Sequence, residues 1–225
     1  MPSDRVLIFA RRPAANCLKP GLTPPLSPED AAAVYEACLR DLVGLAARER
    51  GRIELWYEEE PAAAAYLAAQ FPYLPRAPQV AGSLAAKLRD ALGWSLLNDG
   101  DRAVVLGSDS PVVPEGALGA AFDHLEEADL VVGPVRAGGC YLIGIRGRAW
   151  PQAAPLLENA PWSSRQALRA LVARAAEEGQ AVRVLPGWYG LDRIEDLRRA
   201  REDARPDSHL ARWLAGPAGQ PYIAG

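Results

Sequence analysis

The sequence predicts a single three-layer α/β domain, with a mainly parallel sheet covered by helices on both faces. Three observations predict it. Short apolar runs rich in β-branched residues alternate with helical patterns along most of the chain, the signature of βαβ units. The 225 residues are enough for one domain that takes about 70 percent of its unfolded surface out of water, so no disulfide or metal staple is required. No internal repeat or low-complexity linker divides the chain.

Arg5 to Ala10 (RVLIFA) reads as a buried strand. A Pro-rich, cationic loop follows to Leu26. Ser27-Pro28-Glu29-Asp30 then opens a helix, because Ser27 can cap it, Pro28 suits the first helical position and the acids complement the dipole. Val34, Cys38, Leu42 and Leu45 continue one face. Ile53 to Tyr57 is the second strand, Pro61 to Gln70 a short Ala-rich helix, and Ser83 to Leu97 a longer helix with Leu84, Leu88, Ala91 and Leu92 in register. Strand Arg102 to Gly107 ends in the loop Ser108-Asp109-Ser110-Pro111. A helix over 114–127, strands over 129–133 and 139–145, a helix over 163–178, a strand over 181–185 and a helix over 192–201 complete the pattern. The domain is expected over 1–204. The tail over 205–225, with its prolines and glycines, is expected to be a loosely packed arm.

Composition narrows the classes. A hydrophobic share of 49% and a charged share of 24% are globular values. A formal net charge of -3 excludes nonspecific nucleic-acid binding, which needs a basic face. Cys17, Cys38 and Cys140 are odd in number and widely spaced, so neither a disulfide framework nor a zinc site is expected. The first apolar run is too short for a signal peptide, and no run of about 18 apolar residues exists. A soluble, cytoplasmic chain without a membrane span is expected.

Ligands of an open parallel sheet bind beyond the carboxyl ends of its strands. That rule selects Arg11, Arg12 and Lys19 after the first strand, Asp109 after the central strand, the Gly138-Gly139 turn before Tyr141, and Tyr189 with Asp192 after the last strand. Asp109, flanked by Ser108 and Ser110, suits a divalent cation that bridges substrate phosphates. It also suits a simple turn, as Asp-Ser-Pro does. Asp192 is either a second carboxylate of the same crevice or the cap of the last helix. Trp162 with Ser163 and Ser164 reads as a buried aromatic followed by a helix cap. His124 and His209 have no catalytic company and are expected at the surface. The motifs of P-loop, dinucleotide-binding and serine-hydrolase chemistry are absent.

VLIFARRP, LSPEDAAAVYEACLRD, VVLGSDSP, GPVRAGGCYLIGI, PWSS and WYGLDRIEDL, in this order and spacing, resemble a bacterial family of GT-A-like glycosyltransferases of the arsenosugar-biosynthesis type. The likeness runs from about Val6 to Leu197. It implies a nucleotide-diphospho-sugar transferase fold, with Asp109 as the metal-binding acid and Asp192 joining the same Mg²⁺ or Mn²⁺ ion. The combined reading places Ala10, Arg11, Lys19, Ser83 and Ser108 around the nucleotide diphosphate. Gly138, Gly139, Tyr141, Trp162, Ser163 and Tyr189 go around the sugar and the acceptor. The implied partners are a nucleotide sugar and a small-molecule acceptor.

The chain departs from the family pattern at three places. It reads Lys19-Pro20-Gly21-Leu22 where Lys-Thr-Arg-Leu is usual, Gly82-Ser83-Leu84-Ala85 for Gly-Asp-Leu-Gly, and Ala137-Gly138-Gly139 for Asp-Gly-Gly. Arg11, Arg12 or Arg136 are candidates to replace the lost cation. Three functions therefore stay open: metal-dependent sugar transfer, nucleotidyl transfer of the molybdenum-cofactor or phospholactate type, and a degenerate member that binds a nucleotide or partner without catalysis.

Overall fold

A computed structural model describes residues 3–14, 20–49, 51–98, 100–110, 112–136, 138–162, 164 and 166–223. Strands β1 (Asp4–Ala10), β2 (Arg52–Tyr57), β3 (Arg76–Pro78), β4 (Arg102–Gly107), β5 (Leu130–Pro134), β6 (Cys140–Arg146) and β7 (Val182–Val184) form one sheet in the order β3-β2-β1-β4-β6-β5-β7. Its pairs are parallel except those of β6, which runs antiparallel to both β4 and β5. The helices are α1 (Pro28–Arg48), α2 (Ala63–Gln70), α3 (Leu84–Leu97), α4 (Ala117–His124), α5 (Trp150–Asn159), α6 (Ala167–Glu177), α7 (Ile194–Asp203), α8 (His209–Ala215) and α9 (Gln220–Ile223).

Period-two alternation divides the strands between two faces. Val6, Ile8, Val104 and Leu106 pack with Tyr35 and Leu39 of α1 and Phe122 of α4. Leu7, Ala103 and Val105 pack with Leu88 and Leu92 of α3 and Leu157 of α5. Helices therefore cover both faces, as the periodicity predicts. At the amino end of the sheet two buried ion pairs lock the central strands. Arg5 reaches Glu54 at 2.9 Å and Arg102 grips Asp4 through two bonds of 2.7 and 3.0 Å. A buried pair contributes little net stability, yet losing one partner leaves an uncompensated charge.

The cap predicted at Ser27 forms, and Ser83 caps α3 in the same way. The hydroxyl oxygen of Ser27 accepts from the Asp30 amide at 3.0 Å and that of Ser83 from the Ala86 amide at 3.3 Å. Before the segment after Pro206, β3 and α5 have no counterpart in the sequence reading. β3 is a three-residue, largely exposed edge strand flanked by prolines, too short to carry an alternation. α5 holds Pro151 in its first turn, where an amide is not needed, and tolerates Pro155 inside. α4 is shorter than the expected 114–127 because Gly116, at φ 78°, starts it in a left-handed conformation.

The expectation of a loose arm after Pro206 is corrected. Leu210, Leu214 and Ile223 are 0%, 1% and 6% exposed and join Ala31, Val34 and Cys38 of α1 and Leu197 of α7 in one cluster. Asp41 of α1 accepts the amides of His209 and Leu210 at 2.7 and 2.9 Å, tying the start of α8 to the domain. Leu210→Ala is expected to lower the unfolding free energy by about 2–5 kcal/mol in urea denaturation; a change near zero would fit an unpacked arm instead.

Candidate active site

The carboxyl ends of β1, β2, β3 and β4 and the start of β6 surround a cavity of about 320 Å³. Because β6 runs backwards, its first residues sit at this end of the sheet. Phe9 to Arg11, Glu58, Gln79, Gly107 to Ser110, Gly138 to Tyr141 and Gly190 line it, with Leu84 and Lys87 from α3. The strand ends selected from the sequence therefore border this cavity. Ala10, Arg11, Ser108, Asp109, Gly138, Gly139 and Tyr141 of the sequence reading meet here.

One buried phenol organises the floor. Tyr35 of α1 is 0% exposed, and its hydroxyl bonds the Arg11 amide at 2.9 Å and Ser108 Oγ at 2.8 Å. It thereby ties the loop after β1 to the loop after β4. Burial pushes the phenol well above its ordinary pKa, so it stays protonated. The Arg11 guanidinium lies 6.0 Å from the Tyr35 ring centre and 3.6 Å from Asp109 Oδ1, with both charged groups open to the cavity. On the opposite wall Lys87 Nζ meets Glu58 Oε1 at 2.7 Å. That hydrogen bond holds the Glu58 carboxyl below its usual range. Gln79 is anchored by bonds to Trp56 and Tyr57 carbonyls at 2.7 and 2.8 Å.

Asp192 does not line the cavity, though its segment adjoins it. The Leu191 amide donates to the Asp109 carbonyl at 3.0 Å. The capping alternative for Asp192 is not what the structure shows. Arg193 is the N-cap, and Asp196 in the first turn reaches back to it, its carboxylate accepting the Asp192 and Arg193 amides at 3.0 and 2.8 Å. Gly21 lies against the Asp192 carbonyl, where a Cβ would approach to 2.3 Å. Position 21 thus admits no side chain without a shift.

Trp162, Tyr189 and Ser83 of the sequence reading do not line the cavity. Trp162 donates to the Leu157 carbonyl at 2.8 Å and packs against α5 and α6. Tyr189 is buried, donates to Asp203 at 2.8 Å and lies under the Arg199 guanidinium at 4.2 Å. Ser83 caps α3 outside the cavity, and Tyr141 turns its ring against Gly133 with its hydroxyl on the Pro186 carbonyl at 3.3 Å. Lys19 and Ser163 fall outside the described residues, as does Ala137.

Glu58, Gln79, Lys87 and Tyr35 were not in the sequence reading. Glu58 follows the second predicted strand, so the strand-end rule applied there would have found it. Gln79 follows the unrecognised β3, while Lys87 and Tyr35 sit inside helices where no motif marks them. Among the described residues no three His, Cys, Asp or Glu side chains cluster to hold a metal. The donor set fits an ion such as Mg²⁺ or Mn²⁺, which takes one or two carboxylates and completes its shell with phosphate and water.

A sheet of this order, with a cavity at its strand ends, is the architecture of nucleotide-diphospho-sugar transferases. The structure is similar over its whole length to a candidate nucleotide-diphospho-sugar transferase from Desulfovibrio desulfuricans G20, with TM-score 0.90 and 23% identity, covering 100% of this chain and 98% of that one. A cytidylyltransferase from Leptospira borgpetersenii matches at TM-score 0.60 and 13% identity over 99% and 97%. A Mycobacterium tuberculosis H37Rv protein solved in complex with manganese matches at 0.54 and 18% over 91% and 100%. No curated protein matches the sequence. The chain belongs to the family described as uncharacterized protein conserved in bacteria (DUF2064), whose pattern covers residues 42–164.

Two outcomes test this geometry. Tyr35→Phe strands a buried serine hydroxyl and an amide, and is expected to cost about 1–3 kcal/mol in chemical denaturation. In Lys87→Met the Glu58 carboxyl is expected to titrate at higher pH by NMR. The stability that the pair adds is present above the unfolded pKa of Glu58, lost as pH falls through its lowered folded value, and absent from the variant.

Proposed function

We propose that the protein transfers a sugar from a nucleotide-diphosphate donor to a small acceptor with the help of a divalent cation. The observation that carries this reading is Asp109, held at the end of the central strand in a cavity whose walls also present Arg11 and Lys87. A diphosphate needs such positive charge, and a carboxylate among cations suits a metal-bridged phosphate better than a free one. The resemblance of VLIFARRP, VVLGSDSP and WYGLDRIEDL to arsenosugar-type glycosyltransferases supports the sugar-transfer half.

Each residue has a definite task in this scheme. Tyr35 fixes the Arg11 amide and Ser108, so the two loops that face the diphosphate keep their spacing. Glu58 holds Lys87 in place across the cavity. Gly138 and Gly139, at φ 114° and 76°, admit the ligand close to the backbone, and nothing lies within 4 Å of where a Gly139 Cβ would stand. Asp109, joined by Asp192 from the neighbouring loop, would hold Mg²⁺ or Mn²⁺, which when bound neutralises charge on the leaving diphosphate. The acceptor oxygen bonds to the anomeric carbon as the bond from that carbon to the diphosphate oxygen breaks. The electron pair leaves with the nucleoside diphosphate, and the hydroxyl proton passes to solvent.

Nucleotidyl transfer is the second reading, favoured by the cytidylyltransferase that matches nearly the full chain. Its product would be pyrophosphate from a triphosphate, whereas sugar transfer releases a nucleoside diphosphate. Thermal unfolding with UDP, GDP and nucleotide sugars, with and without Mn²⁺, tests both. A ligand at 100 times its Kd is expected to stabilise the wild type by about 2.7 kcal/mol, and Asp109→Ala to lose the metal-dependent part. No shift with any nucleotide would overturn both readings and leave a non-catalytic role.

A further inference from the structure

Beside the strand-end cavity lies a second one of about 310 Å³, between α1, the 112–115 segment, Trp188 and the junction of α7 with α8. Leu42, Leu45, Val112, Val113, Pro114 and Trp188 give it apolar walls. Gly44 leaves room on the helix side, since a Cβ there would meet only Arg48 Nη1, at 3.6 Å. The rim carries Arg40, Arg48, Arg205 and Arg212 against an equal number of carboxylates. Several of these charges are already engaged. Asp41 holds the start of α8, Asp203 takes the Tyr189 hydroxyl, and Arg40 is bound to Glu36. Such a rim offers no net attraction for an ion of either sign.

Ser110 belongs to the walls of both cavities. It is 4% exposed, so its hydroxyl is a polar group in an otherwise enclosed wall. Among the described residues, the Trp188 indole N–H of the same cavity wall is buried without a partner. Buried polar groups are normally satisfied, so an unmade bond in a cavity wall points to a ligand that makes it. A volume near 300 Å³ with apolar walls and one or two polar anchors is the ordinary form of a small-molecule site.

We propose that this second cavity binds an uncharged small molecule with a largely apolar body, anchored by one hydroxyl at Ser110. We further assign it as the acceptor site of the transfer inferred above, and this assignment rests on that reading. Ser110 is next to Asp109, so a hydroxyl bound there lies at the boundary with the donor cavity.

2-Naphthol, a neutral fluorescent alcohol of suitable size, is the probe, with naphthalene as its counterpart lacking the hydroxyl. The full chain without nucleotide is expected to bind 2-naphthol saturably, one per chain, by fluorescence titration. Ser110→Ala is expected to weaken 2-naphthol about five-fold and leave naphthalene unchanged. Gly44→Leu should abolish binding of both while unfolding at or above the wild-type midpoint, because leucine is the better helix former. Absence of saturable binding, unchanged binding in Gly44→Leu, or equal losses of the two probes in Ser110→Ala would overturn the site. For the acceptor assignment, saturating 2-naphthol is expected to change the apparent UDP affinity in Mn²⁺ by about five-fold or more; an unchanged affinity overturns it. Because the first titrations contain no nucleotide, their failure leaves the reading of the donor cavity standing. Failure of UDP to bind at all removes that reading and leaves only the cavity assignment.

Discussion

The buried hydroxyl of Tyr35 is the interaction on which the candidate site depends. One side chain from the first helix reaches through the core and bonds both the loop after the first strand and the loop after the central strand. Those loops carry Arg11 and Asp109, whose charged groups lie 3.6 Å apart. The helix can supply this tie because Ser27 starts it in register and Ala31, Cys38 and Leu42 pin its two sides to different clusters. Local capping thus helps set the distance between Arg11 and Asp109, far apart in sequence.

Much of the fold was legible because the strands obey simple periodicity. Val6, Ile8, Val104 and Leu106 alternate with Leu7, Ala103 and Val105, and each set meets its own helix layer. What escaped were elements whose stability comes from their surroundings. β3 is held by pairing with β2 and has no pattern of its own, while α5 contains two prolines that local propensity counts against a helix. The reversed direction of β6 was also hidden, since an apolar strand reads the same in either direction. The segment after Pro206 misled for a related reason. Gly216, Pro217 and Gly219 lie between the short helices and Pro221 inside the second, and Leu210, Leu214 and Ile223 only form a face once α1 is there to receive them.

The site was legible to the extent that it follows the strand ends. Arg11, Asp109, Gly138 and Gly139 come together because the sheet brings their loops to one edge. Tyr189 and Trp162 were drawn into the reading by motif position, yet their polar atoms bond Asp203 and the Leu157 carbonyl, and their rings serve packing. Lys87 and Glu58 show the converse. A helix lysine and a loop glutamate are unremarkable in sequence, and only the parallel arrangement of β1, β2 and β3 sets them across one cavity.

The two ends of the sheet bear different burdens. The amino end is fastened by Arg5 with Glu54 and Arg102 with Asp4, charges so enclosed that altering one partner exposes the whole fold to loss. The carboxyl end presents Arg11, Asp109 and Glu58 on loops with much of their side chains in the open. Substitutions there change which ligand is favoured far more than whether the chain folds. A scaffold divided in this way can exchange acids and cations around its cavity while keeping its architecture. Its specificity is free to drift on a frame that does not.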